Sequence, residues 1–284
     1  MGVDAVAVAD RALAWLAVYQ AVGAVLFVAC CDPSLPLLRE RARRLGGFAG
    51  LCGAVLVLLQ WPLTAARMAG DYSGLTDAGL LRMALHSSHG SAGALMLGGL
   101  SVLAIGAFIR PLGVLRWAGI VLVVCAPALT GHTSVHAQRM LLAPLLVLHI
   151  LIGAFWLGSL APLWCAVRLE RPEAAGAVLR RFGSFAIWLI PCIAFAGIGI
   201  ACALIDDWTV LRRPYGLLLL GKLSLFGVLM GLAALNRWRF TPALAEAPES
   251  ARRALQRSIM LEYLLIAAVL AMTATLTTLF GPED

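Results

Sequence analysis

The sequence predicts an all-α, polytopic transmembrane bundle of about eight spans, and three observations predict it. Of its 284 residues 61% are hydrophobic and only 13% charged, with a mean hydropathy of +0.91. Apolar area on that scale cannot face water without aggregating. Eight stretches approach the ~20 apolar residues that one helix needs to cross a bilayer core; they lie near 12–31, 45–63, 85–109, 112–130, 140–166, 183–205, 215–236 and 258–280. Ten-residue segments of alternating polarity are missing, which argues against a β-barrel.

The first span follows "MGVDAVAVADR", where Asp4 and Asp10 occupy the place of a basic leader region, so no cleavable signal peptide is expected and this span stays in the mature protein. Arg39, Arg41, Arg43 and Arg44 precede the second span. The third opens on "LHSSHG" and the fourth runs into "GHTSVHAQ". The fifth carries His149, the seventh holds Lys222, the only lysine of the chain, and the eighth contains Glu262. Between the last two lies "NRWRFTPALAEAPESARRALQR", whose prolines and charges suit a surface linker. The remaining connections are short, and the chain is expected to be a single transmembrane domain over 1–284.

Fifteen arginines fall after spans one, three, five and seven: Arg39, Arg41, Arg43, Arg44, Arg110, Arg116, Arg168, Arg171, Arg180, Arg181, Arg237, Arg239, Arg252, Arg253 and Arg257. The opposite side holds Arg11, Arg67, Arg82, Arg139, Arg212 and Arg213. By the positive-inside rule the richer side is cytoplasmic, and an even number of spans then places both termini in the periplasm. The net charge of +7 is thus a topology signal, not a sign of nucleic-acid binding. The seven cysteines (Cys30, Cys31, Cys52, Cys125, Cys165, Cys192 and Cys202) avoid the outer loops, so they are expected to be reduced and packed as small hydrophobes.

On this topology all five histidines fall at the outer side. His86 and His89 begin span three, His132 and His136 follow span four, and His149 lies nine residues into span five, about 13 Å deep. If helical, His86 and His89 share a face with Met83 and Met96. Imidazole suits copper, zinc, iron or nickel, and thioether sulfur favours Cu(I), so the combination points to copper. His136 belongs to a polar loop, where a solvated role is the plainer one. An ionisable group at the depth of His149 is by default functional.

The motifs "GHTSVHAQ", "LHILIGAFWLGSLAPLW", "RRFGSFA", "RRPYGLLLLGKLSLFGVLMGLAALNR" and "SIMLEYLLIAAVLAMTATLTTLFGP" resemble the copper resistance D family of bacterial inner-membrane proteins, most clearly over 128–284. The resemblance implies an eight-span protein that moves copper ions across the inner membrane, usually inward, alongside a periplasmic copper-binding C protein. It carries the Gly-His pair to Gly131 and His132, the intramembrane histidine to His149, and the Trp-x-Gly turn to Trp156 and Gly158. The seventh span's residues become Tyr215, Gly216 and Lys222, followed by Asn236 and Arg237, and the eighth-span acid is Glu262. His132 and His149 form the expected metal site, with His86, His89 and Met83 as an accessory loading station. Trp156, Lys222 and Glu262 are expected to wall or support the pathway, Glu262 either receiving a metal ion or proton or pairing with Arg237 or another cytoplasmic arginine.

No nucleotide-binding glycine motif and no catalytic triad order is present, so an ATP-driven pump or an enzyme is not expected. The competing class is a membrane haem protein that passes electrons, with outer histidines as axial ligands.

Overall fold

A computed structural model describes residues 2–31, 35–109, 114–205 and 207–280, with the side chains of His132, Thr133 and Trp208 outside that description. Among the described residues there is no strand. The helices are α1 (Gly2–Cys31), α2 (Pro36–Ala69), α3 (Ala78–His86), α4 (Ser88–Phe108), α5 (Leu115–Cys125), the single turn α6 (His132–Val135), α7 (Arg139–Leu169), α8 (Pro172–Leu204), α9 (Pro214–Leu235), the short α10 (Thr241–Ala243) and α11 (Pro248–Leu279). Pro36, Pro172, Pro214 and Pro248 each stand in the first turn of a helix, where the missing N–H has no partner to lose. Gly70 closes α2 at φ +83°, a conformation that glycine adopts at no steric cost.

Seven of these helices are long and apolar enough to cross a membrane. The expected fourth span is the exception, a shorter apolar segment, Leu115–Leu129, completed by a 3-10 turn. It nevertheless belongs to the bundle, because Ile120, Val123 and Val124 are buried in the main core. Its parity is also required. Arg67 binds Asp4 at 2.9 Å, and Arg11 donates to Thr277 O and Thr278 Oγ1 at 3.0 and 3.1 Å, so the start of α1 and the end of α11 lie at one end of the bundle. A chain whose two ends meet there has crossed an even number of times. The short segment is therefore the eighth crossing.

The expected third span is corrected at its start. Met83, His86, His89 and Met96 do not lie on one continuous helix, because Ser87 ends α3 and begins α4 with ψ 167°. Its hydroxyl accepts from Gly90 N at 3.1 Å, supplying the N-cap that a serine at this position offers. The three-residue spacing of His86 and His89 consequently puts them on different helices.

Helix α1 runs through the middle, with 56% of its apolar window buried, against 11% for α8 and 6% for α9. It crosses α7 where a Cβ on Gly23 would come within 1.9 Å of Ala154 O and 2.7 Å of Gly158 Cα. Small residues on both helices permit this approach, as in membrane helix pairs generally. The cysteines are free, as expected, but Cys52, Cys125, Cys192 and Cys202 are exposed on the bundle surface rather than packed inside, since their helices turn that face outward.

Candidate functional site

Helix α7 turns His149 towards α8, where its Nδ1 lies 3.2 Å from Ile193 O. A carbonyl oxygen only accepts, so Nδ1 carries the proton and Nε2 keeps its lone pair, the tautomer of a metal-binding imidazole oriented by a backbone partner. The fit is close: a Cβ on Gly197 would stand 3.1 Å from His149 Cε1. Lys222 on α9 lies within electrostatic range of the ring. Helices α8 and α9 make no extensive contact along their apolar lengths. They approach at the opposite end, where a Cβ on Gly183 would meet the Arg237 guanidinium at 2.7 Å. His149 and Lys222 thus lie within electrostatic range of each other in the apolar part of the bundle. Both are ionisable groups in a place where such groups are costly.

One level further along, about 10 Å from His149 by helix rise, Trp156 is 6% exposed and donates its Nε1–H to Glu262 Oε2 at 3.2 Å. Asn236 donates its Nδ2–H to the other carboxylate oxygen. Glu262 is 3% exposed, at the junction of α7, the end of α9 and α11. The anticipated pair with Arg237 does not form here, because that guanidinium is turned towards Gly183 on α8. Trp156 accordingly ties α7 to the Glu262 carboxylate on α11. Lys222 is fourteen residues before Asn236 on α9, about 21 Å by helix rise, so it cannot reach Glu262.

The other expected ligands are spread out. His86 is exposed at the end of α3 and Met83 is 62% exposed. His89, in the first turn of α4, has Arg11 and Arg67 as its charged neighbours, and α4 does not pack extensively on α7. His132 opens the turn α6, but its side chain lies outside the described residues. His136 accepts from Gln138 N through Nδ1 at 3.0 Å, a local turn contact. Among the described residues no three metal-binding side chains of the His, Cys, Asp or Glu type converge.

A polar cluster at the His89 end was not foreseen. Asp10 is 7% exposed, its Oδ2 has no partner, and it borders a cavity of about 20 Å³ with Arg11, Gln60, Thr64, Arg67 and Thr278, enough for one water. These residues sit on α1, α2 and α11, and no sequence spacing links them. Only the polar character of Asp10, Gln60 and Arg67 at span edges hints at the cluster.

A helical bundle of eight crossings with an imidazole and an amine near one another and a carboxylate at another level inside it defines a multi-pass membrane protein with intramembrane ionisable groups. The chain belongs to the copper resistance protein D family. The family model for copper resistance protein D matches residues 176–276, and that for the copper resistance protein D-like, N-terminal domain matches residues 2–139. The chain is 26% identical over 299 residues to the copper transport protein CutJ of Bacillus subtilis (strain 168), which covers 97% of this chain and 53% of that protein. It is 30% identical over 150 residues to copper resistance protein D of Pseudomonas syringae pv. tomato, 48% of each chain. The chain spans about half the length of the curated relatives it matches. No solved structure matches it significantly.

Proposed function

We propose that this chain moves copper ions across a bacterial inner membrane, taking them up from the periplasm through histidines at the outer side. The observation that carries this reading is His149, an imidazole in the apolar interior with Nδ1 held by a backbone carbonyl and Nε2 free to bind a metal. Family membership supports copper as the ion. Neutral imidazole is the competent ligand, so loading falls on acidification as protons compete for Nε2. Copper is the cargo in this reading, and a periplasmic copper-binding C-type protein is the partner that would deliver it at the His86 and His89 end. Radiolabelled copper flux into proteoliposomes of known orientation tests transport and direction together. Absence of flux in either direction sinks the proposal.

The sidedness rests on the fifteen-to-six arginine asymmetry and on the two chain ends meeting at one end of the bundle. A reporter enzyme fused to the C-terminus is expected to be active in its periplasmic form. Activity only in the cytoplasmic form reverses the orientation.

The histidines divide the work between a site and a loading station. His132→Ala is expected to weaken copper affinity by more than ~10-fold, about 1.4 kcal/mol. The His86→Ala/His89→Ala double variant chiefly slows loading, because exposed side chains on two separate helices form no fixed cage. Equilibrium binding and stopped-flow loading on the same preparations check this. Loss of the ion in the double variant with normal binding in His132→Ala exchanges the two roles.

A further inference from the structure

We propose that Glu262 binds and releases a proton inside the bundle, with the Asn236 amide as its switching partner, and that copper movement is coupled to this proton. The coupling rests on the copper-transport reading; the proton site does not.

The geometry begins with an isolated carboxyl group. Glu262 is 3% exposed, and both of its oxygens receive only neutral donors, Trp156 Nε1–H and Asn236 Nδ2–H. Among the described residues it has no ion pair. From α7 it faces Trp156 and from the end of α9 Asn236, while Arg237 next to Asn236 points to α8. Among the described residues the charged groups of α1 that reach α11 do so at Thr277 and Thr278, through Arg11 and, across a small cavity, Asp10, about 22 Å further along the helix. Lys222 is a similar distance away along α9. On α11 itself Arg252 is drawn to the Val167 and Glu170 carbonyls at the far end of α7, and Arg253 and Arg257 border a surface depression with Trp164. A lone carboxylate in such surroundings needs a proton or another cation as its complement.

Two buried oxygens without partners decide between them. Asn236 Oδ1 has no donor, nor does Ser258 Oγ, which lies one turn before Glu262 on the same face of α11 and is 6% exposed. A metal cation of the oxygen-binding type needs about six oxygen ligands, whereas the groups turned to the Glu262 oxygens are two N–H donors, Trp156 Nε1–H and Asn236 Nδ2–H. A proton needs one acceptor. In the ionised state Asn236 Nδ2–H donates to Glu262, as found here. When a proton from the aqueous phase adds to Oε1, the amide rotates so that Oδ1 accepts the new O–H, and release reverses both movements. The π-helical turn Asn236–Phe240 joins this amide to the polar linker and so to water on that side; such turns recur at functional positions.

Infrared difference spectra of the purified protein, acidic minus alkaline, test the proton site without copper. A protonated-carboxyl component is expected in the wild type and in Asp10→Asn, and is expected to vanish in Glu262→Gln. Its pH midpoint shifts by about one unit or more in Asn236→Ala, a tenfold change in proton affinity. If Glu262→Gln does not fold, Asn236→Ala alone decides. A component untouched by either substitution overturns the proposal. For the coupling, copper flux in proteoliposomes is measured with and without an imposed pH gradient. The wild-type rate is expected to change several-fold and the Glu262→Gln rate to ignore the gradient. Wild-type flux indifferent to the gradient overturns coupling. No wild-type flux at all removes the transport reading, while the infrared result still stands or falls by itself.

Discussion

His149→Ala is expected to abolish copper transport while leaving the protein expressed and folded. The ring makes one hydrogen bond, to Ile193 O, and is only partly buried, so its removal leaves no large cavity and no orphaned donor. The released carbonyl accepts intrahelical partners in α8. Function is affected far more. Loss of a group that merely orients a ligand typically costs 10- to 100-fold in metal affinity, so loss of a ligand in an apolar site should cost about 100-fold or more. Copper stoichiometry by elemental analysis and flux in proteoliposomes check it, with thermal unfolding in detergent as the control for folding. Unchanged stoichiometry and flux would place the copper path elsewhere.

Gly23→Ala is expected to prevent assembly of the bundle. A single methyl group there would lie 1.9 Å from Ala154 O and 2.7 Å from Gly158 Cα, both backbone atoms that no rotamer change can move. The central helix would have to separate from α7, which also removes the Gln20 Nε2–H bond to Gly158 O at 3.0 Å. Overpacking of a core usually costs ~1–3 kcal/mol; a clash with backbone in the most buried helix pair should exceed that. Gly98 on α4 has nothing within 4 Å of its added Cβ, so Gly98→Ala should be tolerated or slightly stabilising. Size-exclusion profiles and melting temperatures of the two variants provide the comparison. Equal behaviour would mean that the α1–α7 crossing is looser than this geometry.

The class of this protein was legible from its residues alone, because bilayer thickness fixes how long an apolar run must be, and eight runs of about that length are present. The ordered motifs from "GHTSVHAQ" onward carried the family. His149 and Glu262 were legible as candidates for one reason: an ionisable side chain inside an apolar helix is rarely there without a task. Partnership was another matter. Whether Glu262 meets Arg237, Lys222 or neither depends on the rotation of α9 and the depth at which it meets α11, and no local spacing encodes either quantity. The tertiary structure settled it by bringing Trp156 and Asn236 to the carboxylate. In the same way the three-residue spacing of His86 and His89 carried a helical face only until Ser87 capped a new helix between them. Asp10, Gln60 and Arg67 became one cluster only when three helix ends met. Hydrophobic length and residue type act locally and survive in the sequence, whereas the pairing of polar groups is decided by how helices pack, which here turns on the backbone approach at Gly23 and Gly158.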